Sequence, residues 1–154
     1  MLEVANIAKD LHQDKSVLYC LDKDGEVVSK DRIDTTESQL IRTIKRVRAE
    51  HKRLAIEQTN ISHWVATLLD PFVDELIIAN SFKTHLAGQN INKNDFVDAR
   101  GLANLLRVGA LESVYYSKDL DRRTLHFNQV KEYERITRHL SRLKQQLVSF
   151  LRHW

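Results

Sequence analysis

The chain has 154 residues, 42% hydrophobic and 29% charged, with a formal net charge of +3. That composition fits one ordinary globular domain with a core and an appendage, not a disordered chain. No apolar run is long enough to span a membrane, the opening stretch MLEVANIAKDLHQDK lacks the basic-then-apolar order of a signal peptide, and the only cysteine, Cys20, fits a reducing cytoplasm as a buried small hydrophobe.

In chain order, residues 4–8 (VANIA), 16–22 (SVLYCLD) and 26–33 (EVVSKDRI) read as three strands. The second and third are separated by a turn carrying Asp24-Gly25, a hairpin signal, so an antiparallel meander opens the chain. Thr36 and Gln39 make a capping box that starts a helix, with Leu40, Ile44 and Val47 as its apolar stripe. A short strand at 53–57 (RLAIE) follows, then a helix over 63–69 stopped near Pro71. The apolar run 75–80 (ELIIAN) predicts a parallel strand buried on both faces. A helical piece at 81–87, a polar loop at 88–94, an amphipathic helix at 95–108 and a short segment at 113–117 complete a domain spanning 1–117. Three meandering strands followed by two helical crossovers predict an α/β fold, a mixed sheet flanked by helices on the RNase H-like plan, with another α/β layered domain as the alternative.

The rest, 118–154, is different. Tyr133, Ile136, Leu140, Leu143, Leu147, Phe150 and Trp154 alternate in steps of three and four, an a/d heptad pattern that predicts a coiled-coil helix. Such a seam needs a partner, here expected to be a second copy of the chain, with packing inside one chain as the alternative. Basic residues cluster twice, at Arg42, Lys45, Arg46, Arg48, Lys52 and Arg53, and again along 122–154 at Arg122, Arg123, Lys131, Arg135, Arg138, Arg142, Lys144 and Arg152. Either cluster reads equally as a solvated helix face or as a polyanion-binding surface. Arg100 and Arg107 read equally as phosphate contacts or as partners of nearby acids.

Four acids fall where strands or loops meet helices. Asp10 ends the first strand, Glu57 ends the first crossover strand, and Asp95 and Asp98 open the helix after the polar loop, three residues apart and so on one face. In the predicted sheet the first strand and the first crossover strand are neighbours, which brings Asp10 beside Glu57. Carboxylates gathered this way repel until a cation joins them, and hard oxygen ligands select Mg²⁺ or Mn²⁺. Spacing alone leaves the alternative open that Asp95 merely complements a helix dipole and that Glu57 lies on the surface.

The run Lys93-Asn94-Asp95-Phe96-Val97-Asp98-Ala99, followed by Leu102-Ala103 and Leu105-Leu106-Arg107, resembles the K-T-D-x-x-D-A…L-A-x-L-L-R signature of DEDD-type insertion-sequence transposases, the IS-one-ten group that includes the Piv invertases. Ala8-Lys9-Asp10-Leu11-His12-Gln13 is similar to the family's G-I-D-x-H-K, and Ile56-Glu57-Gln58-Thr59-Asn60 to its E-x-T-G. The resemblance implies a RuvC-like domain with Asp10, Glu57, Asp95 and Asp98 as catalytic metal ligands for Mg²⁺ or Mn²⁺. It implies DNA as substrate for strand cleavage and exchange, a coiled coil after the domain, and in some members a structured guide RNA. Expected nucleic-acid contacts are Arg42, Lys45, Arg46, Lys93, Arg100, Arg122, Arg123, Arg135, Arg138 and Arg142. Against the family pattern, Lys9 replaces an apolar residue, Ala8 and Asn60 replace glycines, and Gln13 replaces a lysine. The family's serine-bearing domain has no counterpart before Trp154, so the chain alone is expected to be incomplete for transposition. The rival expectations are a self-contained RuvC-like nuclease selective for branched DNA, and a non-catalytic protein that binds nucleic acid or dimerises.

Seven histidines lack the spacing of a zinc site; only His12, two residues past Asp10, is expected near the metal's outer shell. Trp64 is expected in the core with Leu68. No phosphate-binding or dinucleotide glycine loop is present, which argues against a nucleotide-dependent enzyme.

Overall fold

The computed structural model describes residues 1–80, 95–114 and 122–152, with backbone alone at 122–124, 127 and 128. The expected pieces at 81–87 and 88–94, most of 113–117, and residues Lys93 and Trp154 lie outside the described residues. The chain divides into two compact units, Met1–Tyr115 and Tyr116–Trp154.

The first unit is built on a five-stranded sheet. Its elements are β1 (Leu2–Leu11), β2 (Lys15–Leu21), β3 (Val27–Asp34), α1 (Glu37–Arg46), β4 (Ala49–Glu57), α2 (Ser62–Leu69), β5 (Glu75–Ala79) and α3 (Asp95–Arg107). The strand order is β3-β2-β1-β4-β5. β1 pairs antiparallel with β2 and parallel with β4, and β5 continues parallel to β4. This is the mixed α/β sheet of the RNase H-like plan, with a further helix at the C-terminal end of the chain.

Local chemistry explains the meander. Asp22 N–H donates to the Glu26 carbonyl, and the Asp22 carboxylate accepts from the amides of Asp24 and Glu26, each at 2.9 Å. Gly25 closes this three-residue loop at φ 92°, a conformation that disfavours a side chain. Thr36 caps α1 by accepting from the Gln39 amide, as its capping box predicts.

The faces of the sheet are sorted by the strand period of two. Ala8, Val17, Tyr19, Leu21, Ala55 and Ala79 face α3 and pack against Ala99, Leu102, Ala103 and Leu106. Alanines at the centre of this face let the helix lie close. The carboxyl end of α3 is tied down by Arg53, which donates to the Leu106 carbonyl at 3.0 Å and pairs with Glu75, and by Arg107, which donates to the Lys23 carbonyl. On the opposite face lie α1, burying Leu40, Thr43 and Ile44, and α2, burying Ser62, Val65, Ala66 and Leu69. Lys9 points there, fully buried, its Nζ donating to Thr43 Oγ1 at 3.0 Å. Burial pushes its ammonium down to about 7, against a small opposing pull from Asp31. Cys20 is buried as expected, and burial pushes its thiol up to about 12.

Two expectations are corrected. β5 is not buried throughout, because among the described strands it stands at the sheet edge and only Ile78 and Ala79 are buried. Trp64 is 40% exposed, because the inward stripe of α2 runs through Val65, Ala66 and Leu69 and turns Trp64 outward.

Among its described residues the second unit contains one helix, α4 (Arg122–Arg152). Tyr133, Ile136, Leu140, Leu143, Leu147 and Phe150 are all exposed on it. Glu132 with Arg135 and Glu134 with Arg138 form ion pairs along its surface. No helix among the described residues is long and apolar enough to cross a membrane.

Candidate metal and nucleic-acid site

The site sits at the carboxyl ends of β1 and β4. The parallel register sets Lys9 beside Ile56, so the next step brings Asp10 level with Glu57. In the other direction Asp10 pairs with Val17, and Val17 with Arg32 on β3. Arg32, Val17, Asp10 and Glu57 therefore form one row across four strands. The face that carries this row is the one covered by α3, whose first turn supplies Asp95.

Asp10, His12 and Asp95 meet: each offers a ligand atom, and these atoms lie within 4.8 Å of one another. His12 Nε2 is 3.2 Å from Asp10 Oδ2 and 3.9 Å from Asp95 Oδ1. The turn after β1 holds His12 in place, since the Thr35 hydroxyl donates to the His12 carbonyl at 2.8 Å and the Thr35 amide donates to the Asp14 carbonyl. Asp95 Oδ2 accepts from Arg32 Nη2 at 2.7 Å, and the Arg32 guanidinium lies 5.5 Å from the centre of the Phe96 ring.

Asp10 is only 6% exposed. Burial pushes its carboxyl above the ordinary carboxylate range; His12 pulls the other way, Asp95 adds to the rise, and a hydrogen bond with Glu57 opposes it. Of the four expected acids, Asp10 and Asp95 share the cluster and Glu57 stands beside Asp10 on the adjacent strand. Asp98 stands one turn along α3 from Asp95, exposed and outside the group that Asp10, His12 and Asp95 form.

Sequence reasoning anticipated His12 through its place after Asp10. It missed Arg32. No local pattern marks a β3 residue as the partner of an acid 63 positions later; only the pairing of three strands and the crossing of α3 bring them together.

Among the expected basic contacts, Arg42, Lys45 and Arg46 lie on α1, which runs back from the acidic end of the sheet toward the start of β4. With Ser38, Ile41 and Arg48 they line a shallow depression of about 560 Å³. Lys45 also lies 4.6 Å from the Phe72 ring centre. Arg100 is exposed on α3, while Arg107 is taken up by Asn104 and the Lys23 carbonyl rather than by the acids. Arg135, Arg138 and Arg142 are exposed on α4.

A β-strand meander, two helical crossovers and a carboxylate group at the strand ends define an RNase H-like domain with the makings of a cation site. A family model of transposases, the DEDD type of the IS110 insertion sequences, matches residues 7–154. The chain belongs to this transposase family. No curated protein sequence matches it. Among solved structures, the large terminase nuclease from thermophilic phage G20c is similar at 19% identity and a TM-score of 0.43, over 77% of this chain and 60% of that one. The chain thus spans less than two thirds of that structure, and so distant a likeness says nothing of its activity.

Because the Asp10 carboxyl is raised in the folded state, the folded chain keeps a proton that the unfolded chain has lost. The contribution of Asp10 to stability is therefore most favourable where it is protonated and falls as pH rises from the unfolded carboxylate value of 3.8 through the raised one. With chelator present, Asp10→Asn is expected to flatten that decline and raise the melting temperature at neutral pH. In a domain this size each kcal/mol recovered shows as roughly 4 °C in the melting temperature. A melting curve by calorimetry that is unchanged or lower in the variant contradicts the burial argument.

Proposed function

We propose that this chain is the divalent-metal-binding, DNA-cleaving part of a transposase, with Asp10, Glu57 and Asp95 as the core of the site and Asp98 joining it. The observation that carries the reading is the meeting of Asp10 and Asp95 around His12, with Glu57 level with Asp10 on the next strand, in a chain of a transposase family. The donor set suits the ion: carboxylate oxygens predominate, which favours Mg²⁺ or Mn²⁺ over softer metals. The raised Asp10 carboxyl and the repulsion from Asp95 are what a bound dication relieves.

When bound, such ions supply charge stabilisation to the attacking and leaving oxygens of a phosphodiester. The chain's own residues do the rest. Asp10 and Glu57, on adjacent strands, give a rigid base set by sheet register. Asp95 reaches the same point from α3, so the site is closed by packing of helix on sheet. His12, half-exposed at the rim, is within reach of both Asp10 and Asp95, and it is suited to orient a ligand carboxylate or to meet a phosphate oxygen.

Thermal melting with Mn²⁺ or Mg²⁺ tests the site. At a hundredfold excess over Kd, the ion should stabilise the chain by about 2.7 kcal/mol. Asp10→Asn and Asp95→Asn should each abolish the response, and Asp98→Asn should weaken it. Retention of the full response in the Asp10→Asn and Asp95→Asn variants sinks the assignment. Nicking of branched DNA by this chain alone would instead favour a self-contained nuclease.

DNA is the substrate class that the family implies. We assign its backbone to Arg100, exposed on the same helix as Asp95, and to the basic face of α1, with Lys93, Arg122, Arg123, Arg135, Arg138 and Arg142 as further contacts. Exchanging Arg42, Lys45 and Arg46 together for alanine should lower the slope of log affinity against log salt by about 2–3, close to one per lost phosphate contact. A slope equal to that of the unaltered chain, in fluorescence anisotropy on a short duplex, rules this surface out. Running the same titration with a structured RNA tells whether the face prefers RNA.

The apolar seam of α4, exposed at every described a/d position, is assigned to self-association as a coiled coil. Leu140→Asp with Leu147→Asp should convert a dimer or higher oligomer to monomer in sedimentation equilibrium. A wild-type chain already monomeric at tens of micromolar contradicts this assignment.

A further inference from the structure

We infer that Arg32 is a positioning residue that holds Asp95 in the ligand geometry, a role resting on the metal-site reading above. Arg32 sits on β3, two strands from Asp10 in the same cross-sheet row, and on the face covered by α3. Neighbouring strands lie about 4.8 Å apart, so the root of Arg32 is roughly 10 Å from that of Asp10. That gap is spanned from above by the first turn of α3.

The contacts divide the Asp95 carboxylate between two tasks. Oδ2 is taken by Arg32 Nη2 at 2.7 Å, while Oδ1 faces His12 and, beyond it, Asp10. One oxygen is anchored and the other is left toward the cluster. The guanidinium also lies over Phe96, the next residue of α3, and Phe96 packs against the core cluster under the helix. Arg32 therefore grips two successive residues of the first turn, Asp95 by an ion pair and Phe96 by a cation–π contact. A planar guanidinium does both at once, whereas an ammonium keeps the charge without the flat face. Fixing one carboxylate oxygen through a hydrogen-bonded neighbour is how metal sites orient their ligands.

Arg32 also brings a positive charge near a site meant for a dication. Removing that charge alone would tighten metal binding, and losing the anchor would loosen it. The sign of the change in affinity therefore separates positioning from simple charge competition.

The test uses the chain with Arg32→Ala, Arg32→Lys and no substitution, measuring Mn²⁺ affinity by calorimetry and amide hydrogen exchange by NMR. Arg32→Ala is expected to weaken Mn²⁺ binding about 10–100-fold, the usual cost of removing a neighbour that orients a ligand. Arg32→Lys should recover part of the loss. In metal-free protein, Arg32→Ala should speed exchange at the amides of Ala99 and Arg100, which depend on the first turn of α3, and leave those of the β1–β4 core unchanged. Binding within twofold of the unaltered chain, or tighter, overturns the proposal, as does failure of Arg32→Lys to recover any affinity. Should the unaltered chain bind no Mn²⁺, the metal reading fails. Exchange then decides about Arg32: faster exchange in Arg32→Ala upholds its grip on α3, and unchanged exchange removes it.

Discussion

The parallel pairing of β1 with β4 is the constraint on which the rest of the first unit depends. β1 is central, with β2 on one side and β4 on the other, and its residues from Ile7 to Leu11 are buried. Because β4 runs in the same direction, the last residues of both strands emerge at one end of the sheet, and Asp10 stands next to Glu57. A shift of one residue in this register would turn one of the two carboxylates to the opposite face. The hydrophobic alternation that buries Ala8 and Ala55 under α3 is thus also what fixes the two acids on a common side. Folding stability and site geometry are written into the same pairs of residues.

Holding carboxylates this way works against the metal-free fold. A buried Asp10 facing Asp95 is a charge that the chain would rather protonate, and sites of this kind commonly trade stability for function. The chain offsets the repulsion internally with His12 and Arg32, the two basic side chains in contact with the acids among the described residues. Lys9 is a different matter. Its side chain leaves the sheet on the opposite face from Asp10, so it compensates nothing at the site. It occupies the interior between β1 and α1 with the Thr43 hydroxyl as its hydrogen-bond acceptor. A buried amine whose charge is this costly is stored largely neutral in mildly basic solution.

Much of this was legible in the sequence. The Asp-Gly hairpin, the Thr36 capping box and the strand periods gave the meander, the first helix and the order of elements because each rests on neighbours in the chain. The family motifs around Asp10, Glu57 and the Asp95–Asp98 pair singled out the candidate acids. What could not be read depended on contacts between distant segments. The exposure of β5 follows from its place at the edge, which its apolar composition does not reveal, and Trp64 looked like core until the facing of α2 was known. Arg32 was invisible for the same reason: its meaning exists only once β3, β2, β1 and α3 are assembled. The separation of Asp98 from the cluster likewise depends on how α3 is rotated about its axis, and spacing on a helix does not set that angle.

The attachment of α3 has a mechanical consequence. Arg53 and Arg107 clamp its carboxyl end to the sheet and hairpin, and Arg32 clamps its first turn, with alanines pressed flat between. Fastened near both ends, the helix has its register over the sheet set twice, once at each terminus. Asp98 lies outside those ties, exposed one turn along the helix from Asp95, so its side chain is the one expected acid of α3 that this fastening does not itself place.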